Sequence, residues 1–247
     1  MNHFEYRNGE MYAEEVALKR IAQEVGTPAY VYSLATLTRH YSVFDQAFAK
    51  VPHIVCFSVK ANSNLALLRC FAKQGSGFDI VSGGELFRAL KVGADPKRIV
   101  FSGVGKKKDE VEYALNSGIL MFNVESEDEL TALNEIAAGI GKKAPISLRV
   151  NPDVDPQTHP YISTGMKKAK FGVDIKRSIE AYKKALSLKN LEVVGVDCHI
   201  GSQLTSLTPF VDALAKVREY LDRVLLGEMR KEGAQIRYLD LGGGLGI

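Results

Sequence analysis

Lys60 is the residue whose type and position most directly suggest covalent chemistry. It ends the apolar run CFSVK, with Val59 and Ala61 beside it, and Asn62 and Asn64 follow at the start of a predicted helix. An amine in apolar surroundings loses water, and desolvation favours its neutral, nucleophilic form. The position therefore predicts a lysine that forms a Schiff base with a carbonyl compound; an exposed amine at the end of a strand is the alternative.

A glycine run near the end of the sequence, GGGLG, suggests an anion site. Consecutive glycines let backbone N–H groups approach an anion closely, and a following helix would present its positive N-terminus. The run does not match a dinucleotide-binding fingerprint, which would occur early in a βαβ unit. A simple tight turn is the alternative to an anion site. Pyridoxal phosphate (PLP) needs both a lysine and a phosphate site, so Gly242, Gly243 and Gly244 are candidate phosphate-binding residues.

Four more polar residues follow apolar runs and complete the candidate site. His199 in DCHIGSQ could lie flat against a pyridine ring, or could be structural, and Ser202 could bind the phosphate. Arg149 in SLRVN could neutralise an oxyanion or form a structural salt bridge. Asp79 in GFDIVS is a candidate partner for His199 or for the Lys60 ammonium.

These residues lie at the ends of short β-branched runs that alternate with segments of helical period. The predicted strands are 53–60, 77–82, 98–103, 120–126, 145–151, 193–201 and 236–242. Strands alternating with helices imply a parallel sheet with right-handed crossovers. The near-regular repeat favours an α/β fold, a (β/α)8 TIM-type barrel that is incomplete, with about seven βα units. All strand ends of such a barrel point to one face, where the polar residues would meet.

Ahead of the barrel, Ser33 is predicted to cap a helix. The apolar face of that helix consists of Leu37, Tyr41, Phe44 and Phe48. The preceding TPAYVYS predicts a lone strand, which is unstable without a sheet to join. We therefore assign residues 1–33 to an N-terminal segment that belongs with a β-domain absent from this sequence, and residues 34–247 to the incomplete PLP-binding barrel.

Composition excludes several function classes. The chain of 247 residues is 46% hydrophobic and 25% charged, as in ordinary globular proteins, and a net charge of +3 spread along the chain gives no nucleic-acid footprint. No apolar run approaches about 18 residues, which argues against a membrane protein. Cys56, Cys70 and Cys198 show no CxxC spacing, so we expect core thiols, no metal site and a cytoplasmic location.

Five motifs in order resemble the PLP-dependent fold III decarboxylases, the alanine racemase-like group of class-II ornithine, lysine and arginine decarboxylases. They are FSVKANSN, GFDIVSGGEL, LRVNPDVDPQTHPYISTGMKKAKFGV, GVDCHIGSQ and LDLGGGLGI. The resemblance covers nearly the whole chain, and HPYISTG followed by KFG resembles the diaminopimelate branch. It implies a lyase of lysine biosynthesis that decarboxylates meso-2,6-diaminopimelate to L-lysine. The alternatives are a decarboxylase of another basic amino acid and a non-catalytic, single-domain PLP-binding barrel.

The resemblance also implies the role of each site residue. Lys60 would bond PLP and His199 would stack on its ring, which makes these two the candidate catalytic residues. The candidate cofactor-binding residues are Lys60, Asp79, Arg149, His199, Ser202, Gly242, Gly243 and Gly244. Members of the family continue into an eighth strand and a β-domain and act as dimers, so we expect a homodimer at full length and no activity from this stretch alone.

Overall fold

A computed structural model describes residues 2–152, 154, 171–222 and 234–246, and it begins with a small antiparallel sheet. Strands β1 (Phe4–Arg7), β2 (Glu10–Ala13) and β3 (Val16–Ala17) pair in chain order, and helix α1 (Leu18–Val25) follows. Asn8 and Gly9 form the first turn with φ of 52° and 82°. Asn-Gly is the pair that a two-residue hairpin favours, because both of its central residues need positive φ.

The structure contradicts one part of the prediction for the N-terminal segment. Residues 27–33 form no strand, and the strands that do form pair with one another. The assignment of residues 1–33 to a β-domain stays a prediction. The Glu14 carboxylate ties the sheet to the next helix: its Oε1 accepts hydrogen bonds from Ser33 Oγ at 2.7 Å and from the Ala35 N–H at 2.8 Å. The Ala35 and Ser33 hydrogen bonds lower the pKa of Glu14.

A parallel sheet forms the body of the molecule and confirms all seven predicted strands. They are β4 (Cys56–Ser58), β5 (Gly77–Ile80), β6 (Ile99–Phe101), β7 (Met121–Val124), β8 (Ala144–Asn151), β10 (Leu191–Asp197) and β11 (Tyr238–Asp240). A short strand β9 (Val173–Asp174) pairs with the end of β8. The strands pair in parallel in chain order, with β4 and β11 outermost in the described part, as in an incomplete α/β barrel of the TIM type.

Helices between the strands cover the outer face of the sheet. They are α2 (Leu34–Ala47), α3 (Leu65–Lys73), α4 (Gly83–Lys91), α5 (Lys108–Ser117), α6 (Glu127–Gly139), α7 (Ser178–Ser187) and α8 (Thr208–Tyr220). Ser33 Oγ accepts the Thr36 N–H at 3.0 Å, which confirms the predicted cap of α2. Tyr41 on α2 is buried, whereas Phe44 and Phe48 are 45% and 36% exposed, so the predicted apolar face packs only in part. None of the described helices is long and apolar enough to cross a bilayer.

Alternation along the strands separates two layers of side chains. Ile99 and Phe101 pack with the outer helices, whereas Val100 belongs to a separate cluster with Met121 and Val194 on the inner face. Cys198 is buried as predicted, although Cys56 and Cys70 are only partly buried. Because side chains two positions apart on a strand share a face, Ser102 and Asn123 lie on the same inner face, one layer nearer the carboxyl ends.

Candidate active site

The inner layer nearest the carboxyl ends is polar and hydrogen-bonded across the sheet. Ser58 Oγ on β4 donates to Asp79 Oδ2 on β5 at 2.9 Å. Asn123 on β7 donates from Nδ2 to Ser102 Oγ at 3.1 Å and to Asp240 Oδ2 on β11 at 2.9 Å. Asp79 is thus held by Ser58, a neighbour that the sequence analysis did not propose. The layer forms a fixed polar floor under the open end of the barrel.

Lys60 lies one turn beyond this floor. Strand β4 ends at Ser58, where its pairing with β5 ends, and a 3-10 turn over Val59–Ala61 carries the lysine. Val59 is fully buried, but Lys60 is exposed. The predicted placement of Lys60 on the strand and its predicted desolvation are therefore wrong. The amine stands at the rim, and its positive charge contributes to lowering the pKa of His199.

His199 follows β10 and is half-buried at the same end of the barrel. Burial and, to a smaller extent, the positive charges of Arg149 and Lys60 together lower its pKa to about 4. The Gly243 N–H donates to His199 Nδ1 at 3.2 Å. A nitrogen that accepts a hydrogen bond carries no proton, so the neutral imidazole carries its proton on Nε2. The ring is therefore an uncharged group with a fixed tautomer.

The glycine turn after β11 lies against His199 so closely that two of its glycines admit no side chain. A Cβ on Gly242 would lie 2.6 Å from the Cys198 carbonyl oxygen, and one on Gly244 only 1.9 Å from that of Gly201. Both glycines have positive φ, +67° and +97°. Gly243 differs, because nothing lies within 4 Å of the position of its Cβ. The turn thus presents bare backbone on its open side.

Backbone hydrogen bonds join this turn to the loop that carries Ser202. The Leu204 N–H donates to the Gly244 carbonyl, and the Gly246 N–H donates to the Leu204 carbonyl, both at 2.8 Å. Gln203, which lies between Ser202 and Leu204, has a positive φ of 58°. Ser202 is exposed in this loop. The predicted phosphate-binding residues from two distant parts of the sequence are thus brought side by side.

Arg149 forms the structural salt bridge that the sequence analysis left as one of two options. Its Nη1 lies 2.9 and 3.0 Å from the two carboxylate oxygens of Glu125, and both side chains are buried. Nη2 donates to the His199 carbonyl at 3.5 Å. A second buried ion pair supports the first: Glu129 accepts from the Glu125 N–H at 2.8 Å and from Lys106 Nζ at 2.6 Å. Sequence reasoning missed Lys106, whose side chain is only 2% exposed.

Two carboxyl groups under the site, the buried Asp197 and the partly buried Asp240, were also missed. Burial and the charge of Asp240 raise the pKa of Asp197 well above its ordinary value. Burial also raises the pKa of Asp240, although hydrogen bonds from Asn123 and the Gly242 N–H oppose that rise. Asp197 pairs in register with both Arg149 and Asp240. The period-2 spacing from Tyr238 could have identified Asp240, whereas a register shift between Val193 and Gly195 breaks the alternation on β10 and hides Asp197.

The residues present fit a phosphorylated, polar, planar cofactor. Three polar atoms near the carboxyl ends of β5 and β8 are buried without a hydrogen-bond partner among the described residues: Asp79 Oδ1, Arg149 Nε and Asn151 Oδ1. Buried polar atoms require a partner, which a polar ligand supplies. The exposed amine of Lys60, the neutral His199 ring and the glycine turn border the same end of the barrel. The HPYISTG motif (159–165) and Lys170 lie outside the described residues.

Comparison with known proteins matches this geometry. The family described as pyridoxal-dependent decarboxylase, pyridoxal binding domain, matches residues 34–247. Diaminopimelate decarboxylase of Pseudomonas aeruginosa is 56% identical over 100% of this chain and 58% of that protein, and that of Vibrio cholerae is 53% identical over the same shares. The chain thus spans 58% of the length of these relatives.

Solved structures agree with the sequence relatives. Diaminopimelate decarboxylase from Helicobacter pylori, complexed with L-lysine, has a TM-score of 0.87 and 43% identity, covering 93% of this chain and 57% of that one. The M. jannaschii enzyme in complex with L-lysine has a TM-score of 0.90 and 40% identity, covering 100% of this chain and 57% of that one. With the family match over most of the chain, these findings confirm the resemblance: the chain belongs to the pyridoxal-dependent decarboxylases.

Proposed function

We propose that this chain carries the cofactor site of a PLP-dependent carboxy-lyase that converts meso-2,6-diaminopimelate to L-lysine. The observation that supports this most directly is the meeting of Lys60, His199 and the glycine turn at one end of the barrel. The substrate assignment rests on curated relatives of 45–56% identity named diaminopimelate decarboxylase. It also rests on related structures of that name that contain L-lysine, the product of the proposed reaction.

The glycine turn and the Ser202 loop would hold the phosphate. The backbone of Gly243 is open, because nothing lies within 4 Å of the position of its Cβ. The Ser202 hydroxyl lies in the loop whose Leu204 N–H donates a hydrogen bond to Gly244. Backbone N–H groups and a hydroxyl bind a phosphate without a bulky side chain that would keep it at a distance. The Gly242 and Gly243 N–H groups donate to Asp240 and His199, which holds the turn in place. Of the three glycines, Gly244 is therefore the one whose N–H would face the phosphate from a preorganised position.

His199 and Lys60 would border the cofactor ring. The neutral imidazole, whose Nδ1 accepts the Gly243 N–H, can lie against a pyridine face without adding a positive charge there. When bound, PLP supplies the electron sink that accepts the bonding pair released as carbon dioxide leaves the substrate. Lys60 Nζ, exposed at the rim, would hold the cofactor at its aldehyde group. The same amine would be placed to carry the proton that returns to the substrate carbon.

The polar floor would orient the substrate and the cofactor from below. Ser58 holds one carboxylate oxygen of Asp79, and the other has no partner among the described residues, so one acceptor remains at a fixed position. Arg149 is committed to Glu125 through Nη1, and within the described part of the chain its Nε has no partner. Each side chain is therefore anchored on one side and available on the other. This is the geometry expected of a contact residue rather than of a purely structural one.

The competing substrates have weaker support. Arginine decarboxylase of Paramecium bursaria Chlorella virus and lysine decarboxylase of Selenomonas ruminantium share 23% and 22% identity, which shows the fold alone. A non-catalytic PLP-binding barrel would also need Lys60, so cofactor binding does not separate it from an enzyme. Carbon dioxide release does, when meso-diaminopimelate, ornithine, arginine and lysine are compared as substrates.

The cofactor test uses the 247-residue chain. PLP added to the protein should give the visible absorbance of a lysine imine, and borohydride reduction followed by peptide mass spectrometry should place the label on Lys60. Lys60→Ala should abolish both signals. Lys73→Ala is the matched control, because Lys73 is exposed in the last turn of α3, at the opposite end of the barrel. Labelling of another lysine, or an unchanged signal in Lys60→Ala, would refute the assignment.

The activity test joins this chain to the part of the Pseudomonas aeruginosa relative that it does not match. The fusion should release carbon dioxide from meso-diaminopimelate and sediment as a homodimer, whereas the 247-residue chain alone should be inactive. Carbon dioxide release by the chain alone would contradict that expectation, and preference for ornithine or arginine would overturn the substrate. The cytoplasmic location stays a prediction, which fractionation of the source cells tests.

A further inference from the structure

We infer that Asn123 is a positioning residue for His199, acting through Asp240 and the glycine turn. The inference rests on the proposed function, because His199 matters there as the neutral ring beside the cofactor. Three hydrogen bonds form the connection. Asn123 Nδ2 donates to Asp240 Oδ2 at 2.9 Å, the Gly242 N–H donates to Asp240 Oδ1 at 2.8 Å, and the Gly243 N–H donates to His199 Nδ1 at 3.2 Å.

The amide of Asn123 is fixed in one orientation by its other partners. Its Nδ2 also donates to Ser102 Oγ at 3.1 Å, and its Oδ1 accepts a hydrogen bond from Ser147 Oγ. The side chain is only 2% exposed, so water cannot replace these partners. A rotated amide would place its carbonyl oxygen against the Asp240 carboxylate, which is repulsive. Asn123 therefore presents a donor to Asp240 from a fixed position.

Asp240 transmits this position to the glycine turn. Each of its two oxygens accepts one hydrogen bond, from Asn123 on one side and from the Gly242 N–H on the other. Hydrogen bonds to a buried carboxylate are stronger than neutral ones, and losing one leaves the group poorly satisfied. Without the Asn123 donor, the Asp240 carboxylate should rotate towards another hydrogen-bond donor. The Gly242 N–H would then lose its acceptor.

The turn and the His199 ring move together because they are in contact. A Cβ on Gly242 would lie 2.7 Å from His199 Nδ1, so no space separates the turn from the ring. The next N–H, that of Gly243, sets the His199 tautomer by occupying Nδ1. Displacement of the turn therefore removes the interaction that keeps the ring proton on Nε2. Asn123, 76 residues before His199 in the sequence, therefore controls the tautomer indirectly, through Asp240 and the glycine turn.

The test measures the His199 tautomer directly, without cofactor. Proteins labelled with ¹⁵N at histidine are compared by NMR for wild type, Asn123→Ala and Asn123→Asp, and His199→Gln identifies the His199 resonances. Wild type should show an unprotonated Nδ1, and both Asn123 variants should show a mixture of tautomers. Asn123→Asp is the sharper variant, because it keeps the shape but replaces the donor facing Asp240 by an acceptor. PLP dissociation constants should rise roughly tenfold, the effect of losing one hydrogen bond to a charged group.

Asn134→Ala is the matched control. Its Oδ1 accepts the Asn190 N–H at 3.0 Å at the start of β10, the opposite end of the sheet, so its loss should leave the tautomer unchanged. An unchanged tautomer in both Asn123 variants would overturn the inference, as would unfolding of both, which would give Asn123 a role in folding alone. Failure of wild type to bind PLP would instead contradict the proposed function, and the cofactor-free NMR result would still test Asn123.

Discussion

Replacing Gly244 by alanine should disrupt the glycine turn while leaving the rest of the barrel folded. The new Cβ would lie 1.9 Å from the Gly201 carbonyl oxygen, a backbone atom, so the two segments must separate. Separation breaks the hydrogen bonds from Leu204 N–H to Gly244 and from Gly246 N–H to Leu204, both of 2.8 Å. Two hydrogen bonds contribute about 2 kcal/mol, and alanine at positive φ adds about 1 kcal/mol.

The expected cost of about 3 kcal/mol corresponds to a PLP affinity on the order of a hundredfold weaker, if the turn must form to bind phosphate. Absorbance titration with PLP measures the affinity, and urea unfolding measures global stability. Gly139→Ala is the control, since nothing lies within 4 Å of its Cβ position and it ends helix α6 away from the site. Gly243→Ala should weaken binding less than Gly244→Ala, because its Cβ meets open space. Unchanged affinity in Gly244→Ala would refute the reasoning.

Two further predictions concern buried charge. The pKa of His199 is about 4 in the folded chain, whereas its ordinary value is 6.5. As the pH falls from 6.5 to 4, the unfolded chain gains this proton before the folded chain does. The free energy of unfolding of the wild type should therefore decrease by up to about 3 kcal/mol over this pH range. Urea unfolding of His199→Gln should not show this decrease. The same pH dependence of the unfolding free energy in both proteins would contradict the prediction. Glu125→Ala leaves the buried Arg149 guanidinium unpaired and should cost about 3–5 kcal/mol, whereas Glu15→Ala, at an exposed ion pair, should change thermal stability little. Equal shifts in Tm would refute this contrast.

The sequence was sufficient for the parallel sheet because each strand is a short β-branched run bounded by helical segments. Placement of His199 and the glycine turn at one end followed from the rule that parallel strands share a carboxyl face. The N-terminal hairpin could also have been predicted, since Asn8-Gly9 is a strong signal for a two-residue hairpin turn. Charged residues before and after Asn8-Gly9 interrupt the apolar and polar alternation that indicates a strand. The more apolar TPAYVYS segment therefore gave the stronger strand signal.

The polar floor could not be predicted in the same way. Asn123 and Asp240 are 117 residues apart, and their hydrogen bond depends on the curvature that brings β7 and β11 within reach across the inner face of the sheet. Periodicity assigns each residue to the inner face, but it gives no distance between strands that are not neighbours. The same limit applies to Lys106, whose burial depends on the loop after β6 folding back onto Glu129.

The exposure of Lys60 changes the physical account of its reactivity. Its apolar neighbour Val59 is fully buried and anchors the 3-10 turn, while the lysine on the next position points its amine to the rim. Adjacent residues in a tight turn face different directions, so apolar flanks indicate where the backbone is fixed rather than where the neighbouring side chain is buried. In the proposed function this amine exchanges with the substrate amine, which requires access more than desolvation. A rigid turn with an exposed amine provides that access, and the bound cofactor would exclude the water that the protein alone does not.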